Sequence, residues 1–499
     1  MFHLIVVKSS LRQLMGITLL SCLGVLPLFG FAHANPTIDS LIKKRKSLPN
    51  IIFIMADDLG YGDIGFNGQQ KIKTPHIDQL AQEGMVMTQH YAGSSVCAPS
   101  RASLMTGVNV AHAHVRELSA WTASGKAIDL AAEDVTVAQE LKRVGYSTGI
   151  IGKWGLEEGA GTGNVLDHGF DYFYGYKTHT EAHHYYPEYI WKNREKLQLP
   201  DNESASKKGE YSNDAFTREA LAFIQKNSKK PFFLYLPYTI PHNELTVPDE
   251  SKAPYENLGW PKKPMDVSGH YHHDPEGNTT YAGMISRLDS YIGQLMQELK
   301  TQGIDDNTLV IFTSDNGPGS DKGIFNSTGG LRGRKLTLYE GGIREPFAAR
   351  WPNKIKPGST SDQPAAFWDL LPTLCDIAGI KPSVKTDGIS YLPTLLNQVK
   401  NQKKHDLLYW EINESQGPIQ AIRLGDWKGI NAYQKPFELY NLKVDPKESK
   451  NLALSNPGVV AKIKQMMISY RTENPEFPLT KRTPNYGNDG SNPETIKSK

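Results

Sequence analysis

From residue 50 to residue 314, short apolar runs alternate with segments of helical spacing. Residues 50–56 form an almost unbroken apolar run that stops at Asp57-Asp58-Leu59-Gly60. A run of that length, ended by turn residues, reads as a strand buried on both faces. Thr74-Pro75 then opens a helix that the spacing carries through residue 81, with the proline in the first turn, where its missing N–H costs nothing. Helical spacing over 135–144 precedes a strand over 147–151, and the pattern repeats with 214–225 before 232–236 and 281–299 before 308–313. This alternation predicts an α/β fold with a mostly parallel central sheet and helices on both faces. Beyond about residue 385 the pattern changes. Residues 407–412, 419–430 and 437–442 read as short antiparallel strands, and 459–470 as a closing helix, which predicts a smaller C-terminal α+β unit with an antiparallel sheet. The expected organisation is a leader over 1–34, a main domain over 49–385, the α+β subdomain over 386–471, and a polar, loosely ordered tail over 472–499.

The leader has Lys8 and Arg12 ahead of an uncharged stretch over 14–32, and Ala32-His33-Ala34 is a small-x-small cleavage signal. The expected cut follows Ala34, which makes the protein periplasmic or secreted. Leu19-Leu20-Ser21-Cys22 resembles a lipoprotein box, but the apolar run continues past Cys22 to Phe31, which favours ordinary cleavage. A retained anchor is the other reading; Pro27 and the glycines weaken it, so no stable membrane span is expected. With 55 basic and 53 acidic residues in 499, the chain lacks the excess positive charge of a protein that binds nucleic acid by bulk electrostatics. Export permits disulfides, yet only Cys97 and Cys375 remain after cleavage. A single bridge between them is possible, although Cys375 sits in an apolar stretch and reads as a core thiol.

In open α/β sheets, sites form beyond the carboxyl ends of the strands. Asp57-Asp58 and Asp315-Asn316 each follow an expected strand directly, so two polar pairs distant in sequence should meet at one sheet edge. The segment Cys97-Ala98-Pro99-Ser100-Arg101 has Pro99 in what would be a first helical turn. Cys97 would then stand at a helix N-terminus, which favours anions, and Arg101 one turn on can point the same way. A nucleophile beside an anion hole is one reading; a buried cysteine before an ordinary helix is the other.

Cys97-x-Pro99-Ser100-Arg101 followed by Leu104-x-Thr106-Gly107 resembles the signature of the formylglycine-dependent (type I) sulfatases. The resemblance runs from about 49 to 452. It includes Asp57-Asp58-Leu59-Gly60, Gly152-Lys153-Trp154, Thr313-Ser314-Asp315-Asn316-Gly317, and Lys335 before Tyr339-Glu340-Gly341-Gly342-Ile343-Arg344. It implies an alkaline-phosphatase-like fold with 49–385 as the catalytic domain, and similarity to bacterial carbohydrate sulfatases. It implies that a formylglycine-generating enzyme oxidises Cys97 to Cα-formylglycine, whose hydrate offers two hydroxyls. One attacks the sulfur of a sulfate ester; the other then loses its proton and expels sulfate. A plain alcohol would keep the sulfuryl group. It also implies that Asp57, Asp58, Asp315, Asn316 and position 97 hold a Ca²⁺, ahead of Mg²⁺, as oxygen-only donors suit hard cations. Arg101, Lys153 and Lys335 match cationic positions that neutralise the sulfuryl group, and His242 and Lys335 are candidates for protonating the leaving alcohol. His183, His184 and Arg344 are expected at the substrate.

One position departs from the family pattern. Many relatives carry Gly-Lys-Trp-His-Leu, whereas this chain has Gly155 in place of that histidine. His183 or His184 is the expected compensation; the other reading is that both simply line the pocket. Between Phe170 and Trp191, nine of 22 residues are aromatic, as a sugar platform or a packed insert would be. The expected substrate is a sulfated carbohydrate, and Gly152-Lys153-Trp154-Gly155 with His183-His184-Tyr185-Tyr186-Pro187 resembles bacterial carbohydrate sulfatases, some of which act on galactose or N-acetylgalactosamine sulfates. A phosphonate or phosphate ester hydrolase of the same superfamily is the enzymatic rival. An inactive relative that binds sulfated glycans is the non-enzymatic one.

Overall fold

The computed structural model describes residues 48–202, 209–264, 271–319, 323–414 and 417–484. All of them fall in one compact unit, Lys44–Lys499. The leader, its cut after Ala34, Cys22 and residues 485–499 lie outside the described residues.

Among the described residues a ten-stranded sheet runs in the order Ser359–Ser361, Met85–Met87, Phe347–Arg350, Thr308–Ser314, Asn50–Ala56, Phe232–Pro237, Ser147–Lys153, Tyr172–Tyr176, Tyr189–Lys192 and Glu195–Gln198. From Thr308–Ser314 across to Tyr172–Tyr176 every pairing is parallel. The pairings of Phe347–Arg350 on one flank and of Tyr189–Lys192 on the other are antiparallel. The central strand Asn50–Ala56 is buried along its whole length. Its side chains alternate between two cores, as a period of two requires. Ile52 and Ile54 meet the helices Pro75–Gln82, Ser212–Asn227 and Asn278–Thr301; Ile51, Phe53 and Met55 meet Cys97–Thr106, Val137–Lys142 and Leu370–Ala378. The expected strand–helix alternation is therefore what builds the layers. Both Cys97 and Cys375 are free thiols, and Cys375 is buried in the second core.

A separate four-stranded antiparallel sheet is formed by Leu408–Glu414, Gly417–Leu424, Trp427–Ala432 and Glu438–Asn441, and Ile463 and Met467 of helix Pro457–Tyr470 pack with its Ile422 and Leu439. The single strand expected over 419–430 is two strands, because Gly425 takes a left-handed φ of 60° and turns the chain back. Over 472–484, the part of the expected loose tail that lies among the described residues, the chain is held in place. Phe477 is buried, the Ala123 N–H donates to the Glu476 carbonyl at 2.8 Å, and Arg116 donates to the Thr472 carbonyl at 2.8 Å. One aromatic anchor and two buried arginines, Arg116 and Arg471, hold down a stretch whose composition alone looks unstructured.

Lys428 ties the small sheet to the segment that follows Lys335. Its Nζ lies 2.9 Å from both Glu340 Oε1 and Glu448 Oε1, and all three side chains are fully buried. Removing one member of a buried ionic group leaves uncompensated charge, at a cost of about 3–5 kcal/mol. Lys428→Met is therefore expected to lower the unfolding free energy by that order in urea titration, whereas an exposed control, Lys443→Met, should leave it unchanged.

Candidate active site

Strand ends deliver most of the site. Asn50–Ala56 runs into Asp57 and Asp58, Thr308–Ser314 into Asp315 and Asn316, Ser147–Lys153 ends on Lys153, and the loop after Phe232–Pro237 carries His242. The register sets Ala56 opposite Ser314, so the two polar pairs emerge side by side. The Asp58 N–H donates to Asp315 Oδ1 at 3.1 Å, and Asp58 itself sits at φ 65°, a left-handed conformation that turns the chain sharply after the strand.

Helix Cys97–Thr106 brings the remaining groups. It starts after the extended Val96, puts Cys97 in its first position, and is buried at every residue, Ser100 and Arg101 included. Ser100 Oγ donates to the Asp315 carbonyl at 2.6 Å and pins the helix to the strand end. The Cys97 thiol donates to Asp57 Oδ1 at 3.5 Å, and Lys335 Nζ stands 3.6 Å from the same sulfur. Arg101 Nη2 reaches Asp315 Oδ2 at 2.7 Å and Asp57 Oδ2 at 3.4 Å, while Nη1 donates to the Lys153 carbonyl at 2.8 Å. Lys153 Nζ is 2.8 Å from Asp57 Oδ2, and Lys335 Nζ lies at 2.8 and 2.9 Å from the two oxygens of Asp58. Asp57, Asp58, Asp315, Asn316, Cys97, Arg101, Lys153 and Lys335 thus meet in one buried cluster.

Charge decides protonation here. Burial acts to raise the Asp57 carboxyl, but Lys153, His242, Arg101 and Lys335 outweigh it and hold it well below the usual range. Burial and the Asp57 charge push Asp315 up in spite of Arg101. Burial pushes the Cys97 thiol far up in spite of Lys153 and Lys335. An unmodified Cys97 is therefore a protonated thiol and a poor nucleophile. Burial takes His242 down to about 4 against the pull of Asp58, whose Oδ2 lies 3.6 Å from Nε2, so this imidazole is neutral near pH 7.

The donor set fits a hard cation. Asp57, Asp58, Cys97 and Asp315 offer ligand atoms that all lie within 4.8 Å of one another. Asn316 Nδ2 donates to Asp58 Oδ1 at 2.7 Å, whereas the buried Asn316 Oδ1 accepts no hydrogen bond. A buried acceptor without a partner is costly, and a cation at this point would satisfy it.

The sulfatase family profile matches residues 49–380, and a profile described as N-sulphoglucosamine sulphohydrolase, C-terminal, matches residues 333–473. The chain belongs to the sulfatase family. It is a sulfuric ester hydrolase by that membership. The chain is 31% identical to human arylsulfatase A (Homo sapiens) over 84% of its own length and 87% of the relative's. It is 30% identical to the N-acetylgalactosamine-6-O-sulfatase of Bacteroides thetaiotaomicron over 85% and 93% of the two chains. The solved structure of Ps i-CgsB in complex with k-i-k-neocarrahexaose superposes with a TM-score of 0.73 at 29% identity, covering 87% of this chain and 95% of that one.

The remaining expected residues of this sulfatase are distributed unevenly. The His183 ring stacks on His242, with centroids 5.1 Å apart and planes 7° off parallel. His184 Nδ1 is 3.3 Å from Glu244 Oε2, which also holds His272 Nδ1 at 2.7 Å. Glu244 and His272 had no sequence signal of their own beyond Glu244 lying two residues after His242. Arg344 stands apart from the cluster: its Nε donates to the Thr88 carbonyl at 2.6 Å, its Nη1 is 3.5 Å from Glu340 Oε2, and its guanidinium lies 5.3 Å from the Tyr61 ring centroid. The ring that fills the space at Gly155 is that of His179, not of His183 or His184. Most of the aromatic stretch is core: Phe170, Phe173, Tyr174, Tyr176, Tyr185 and Tyr186 are buried, and only Tyr172, Tyr189 and Trp191 keep part of their rings exposed.

Among the described residues, no helix is long and apolar enough to cross a membrane.

Proposed function

We propose that this sulfatase is exported and releases inorganic sulfate from a sulfated carbohydrate through a formylglycine made from Cys97, with Ca²⁺ held by Asp57, Asp58, Asp315, Asn316 and residue 97. The observation that carries the reading is the position of the Cys97 sulfur, between Asp57 and Lys335 at the start of a fully buried helix, within an oxygen-donor cluster. A bound divalent cation supplies Lewis-acid polarisation of a sulfate oxygen. Arg101, Lys153 and Lys335 hold fixed positive charge around the transferring group, worth far more in a buried site than in water. Lys335, the cation nearest residue 97, is placed to give a proton to the departing alcohol, with His242 held beside it by the His183 stack. His183 and His184 then bound the sugar side of the pocket. The carbohydrate substrate is supported by the N-acetylgalactosamine-6-O-sulfatase relative and by the neocarrahexaose-bound structure. In this reading residues 49–385 form the catalytic domain and 386–471 the C-terminal subdomain.

Free sulfate, phosphate and phosphonate release from matched esters tests the reading. Fully modified protein given defined galactose and N-acetylgalactosamine sulfates, a phosphate monoester and a phosphonate ester should turn over a sulfated saccharide fastest. Faster turnover of the phosphonate or phosphate ester would overturn it.

A further inference from the structure

The room beside Gly155 is taken by an imidazole that comes from another loop. Gly155 follows Lys153-Trp154 at a left-handed φ of 68°, and a Cβ placed there would lie 2.9 Å from His179 Cε1 and 3.3 Å from both ring nitrogens. Lys153 in turn bonds Asp57, next to Cys97. The His179 side chain is only 12% exposed, and its Nε2 is buried without a hydrogen-bond partner. Glu158 Oε1 lies 3.9 Å from Nε2, beyond hydrogen-bond reach, and accepts the His179 backbone N–H at 2.8 Å instead. Asp129 fixes the 158–163 loop, whose Glu158 holds the His179 backbone, by accepting the backbone N–H groups of Glu158, Gly159, Gly161, Thr162 and Gly163 at 2.6–3.2 Å. The structure therefore keeps a buried imidazole nitrogen unsatisfied, in a rigid frame, against the strand end that carries Lys153. Burial first, then Lys153 and Arg101, keep this ring neutral, with Asp57 opposing. A neutral buried nitrogen with no partner is costly unless the working site supplies one.

We propose, building on the sulfatase reading above, that His179 is a further catalytic residue, whose Nε2 accepts a proton from a hydroxyl of the modified residue 97. In that step the O–H bond breaks, its electron pair stays on oxygen, and the proton rests on Nε2 until solvent removes it. His179 thus does from the 177–180 loop what position 155 cannot do in this chain. His183, stacked on His242, and His184, bound to Glu244, are committed elsewhere.

His179→Ala and His179→Gln, each checked for the same conversion of residue 97 as the unaltered chain, are compared in kcat, KM and rescue by free imidazole. A general-base role predicts a fall in kcat of about 100-fold or more with KM changed less than about threefold, and recovery of much of the loss in His179→Ala on adding imidazole. The second readout is independent of turnover. In protein labelled at histidine Cε1, the resonance absent from His179→Gln should shift when inorganic sulfate is added. An unchanged kcat, or a loss that imidazole does not restore together with a resonance that ignores sulfate, overturns the assignment. If His179→Ala does not fold, the His179→Gln kinetics and the resonance still decide. A fully converted, unaltered chain that frees sulfate from no saccharide would instead sink the sulfatase reading itself.

Discussion

Cys97→Ala is expected to abolish sulfate release, by on the order of 10⁴-fold or more, as removal of a covalent nucleophile does in other hydrolases. The fold should survive the change, because the sulfur makes only long contacts to Asp57 and Lys335 while Ser100 Oγ and Arg101 hold the helix in place. Cys97→Ser is the sharper variant. Its single hydroxyl sits in the same field of Arg101, Lys153 and Lys335, so it should accept a sulfuryl group once and keep it. The expected readout is no steady release, together with sulfate bound covalently to the protein, found by mass spectrometry on the peptide containing residue 97. Steady turnover by Cys97→Ser would mean that a second hydroxyl at this carbon is unnecessary.

Removing the divalent cation is the second large effect. Chelation should reduce sulfate release by about 10²–10³-fold, the scale of the several kcal/mol that a Lewis acid contributes to transition-state stabilisation. Added Ca²⁺ should restore activity more fully than Mg²⁺, because a set with three carboxylates, an amide oxygen and residue 97 supplies many oxygens without demanding octahedral geometry. The same ion, binding the folded chain, should raise the thermal midpoint with the logarithm of its concentration above Kd; at one hundred times Kd the stabilisation is about 2.7 kcal/mol. Asn316→Ala separates the two roles of that residue. It removes the unpartnered Oδ1 and the bond to Asp58, so the concentration of Ca²⁺ needed for half-restoration should rise while the fold persists. Full activity in the presence of chelator, with no change in midpoint on adding Ca²⁺, would contradict the metal assignment.

The parallel sheet was legible because its central strands are buried on both faces and therefore read as continuous apolar runs. Residues 51–56 and 308–314 stop where the first charged side chain appears, so the same pattern that marks the strand also marks the site residue that follows it. Cys97 and Arg101 were legible as a helix start. Their purpose came only with the family resemblance, because nothing in a helix signal separates a nucleophile from a core thiol. Other features depend on distant contacts and leave no local trace. His179 meets Gly155 across a loop, Glu244 gathers His184 and His272 from two separate segments, and Lys428 joins Glu340 to Glu448. The aromatic stretch left two readings open for a related reason. Composition cannot tell which face of an insert is buried, and here Tyr174, Tyr176, Tyr185 and Tyr186 point into the core. The packing of 472–484 was hidden in the sequence because a single phenylalanine, Phe477, outweighs its polar neighbours there.

The most direct test is the chemical state of residue 97 in protein that is turning over. Peptide mass spectrometry on sulfate-releasing enzyme from an exporting host should find the sulfur gone and a hydrated aldehyde in its place, in a fraction that tracks specific activity. An intact thiol at residue 97 in material that still frees sulfate would contradict it.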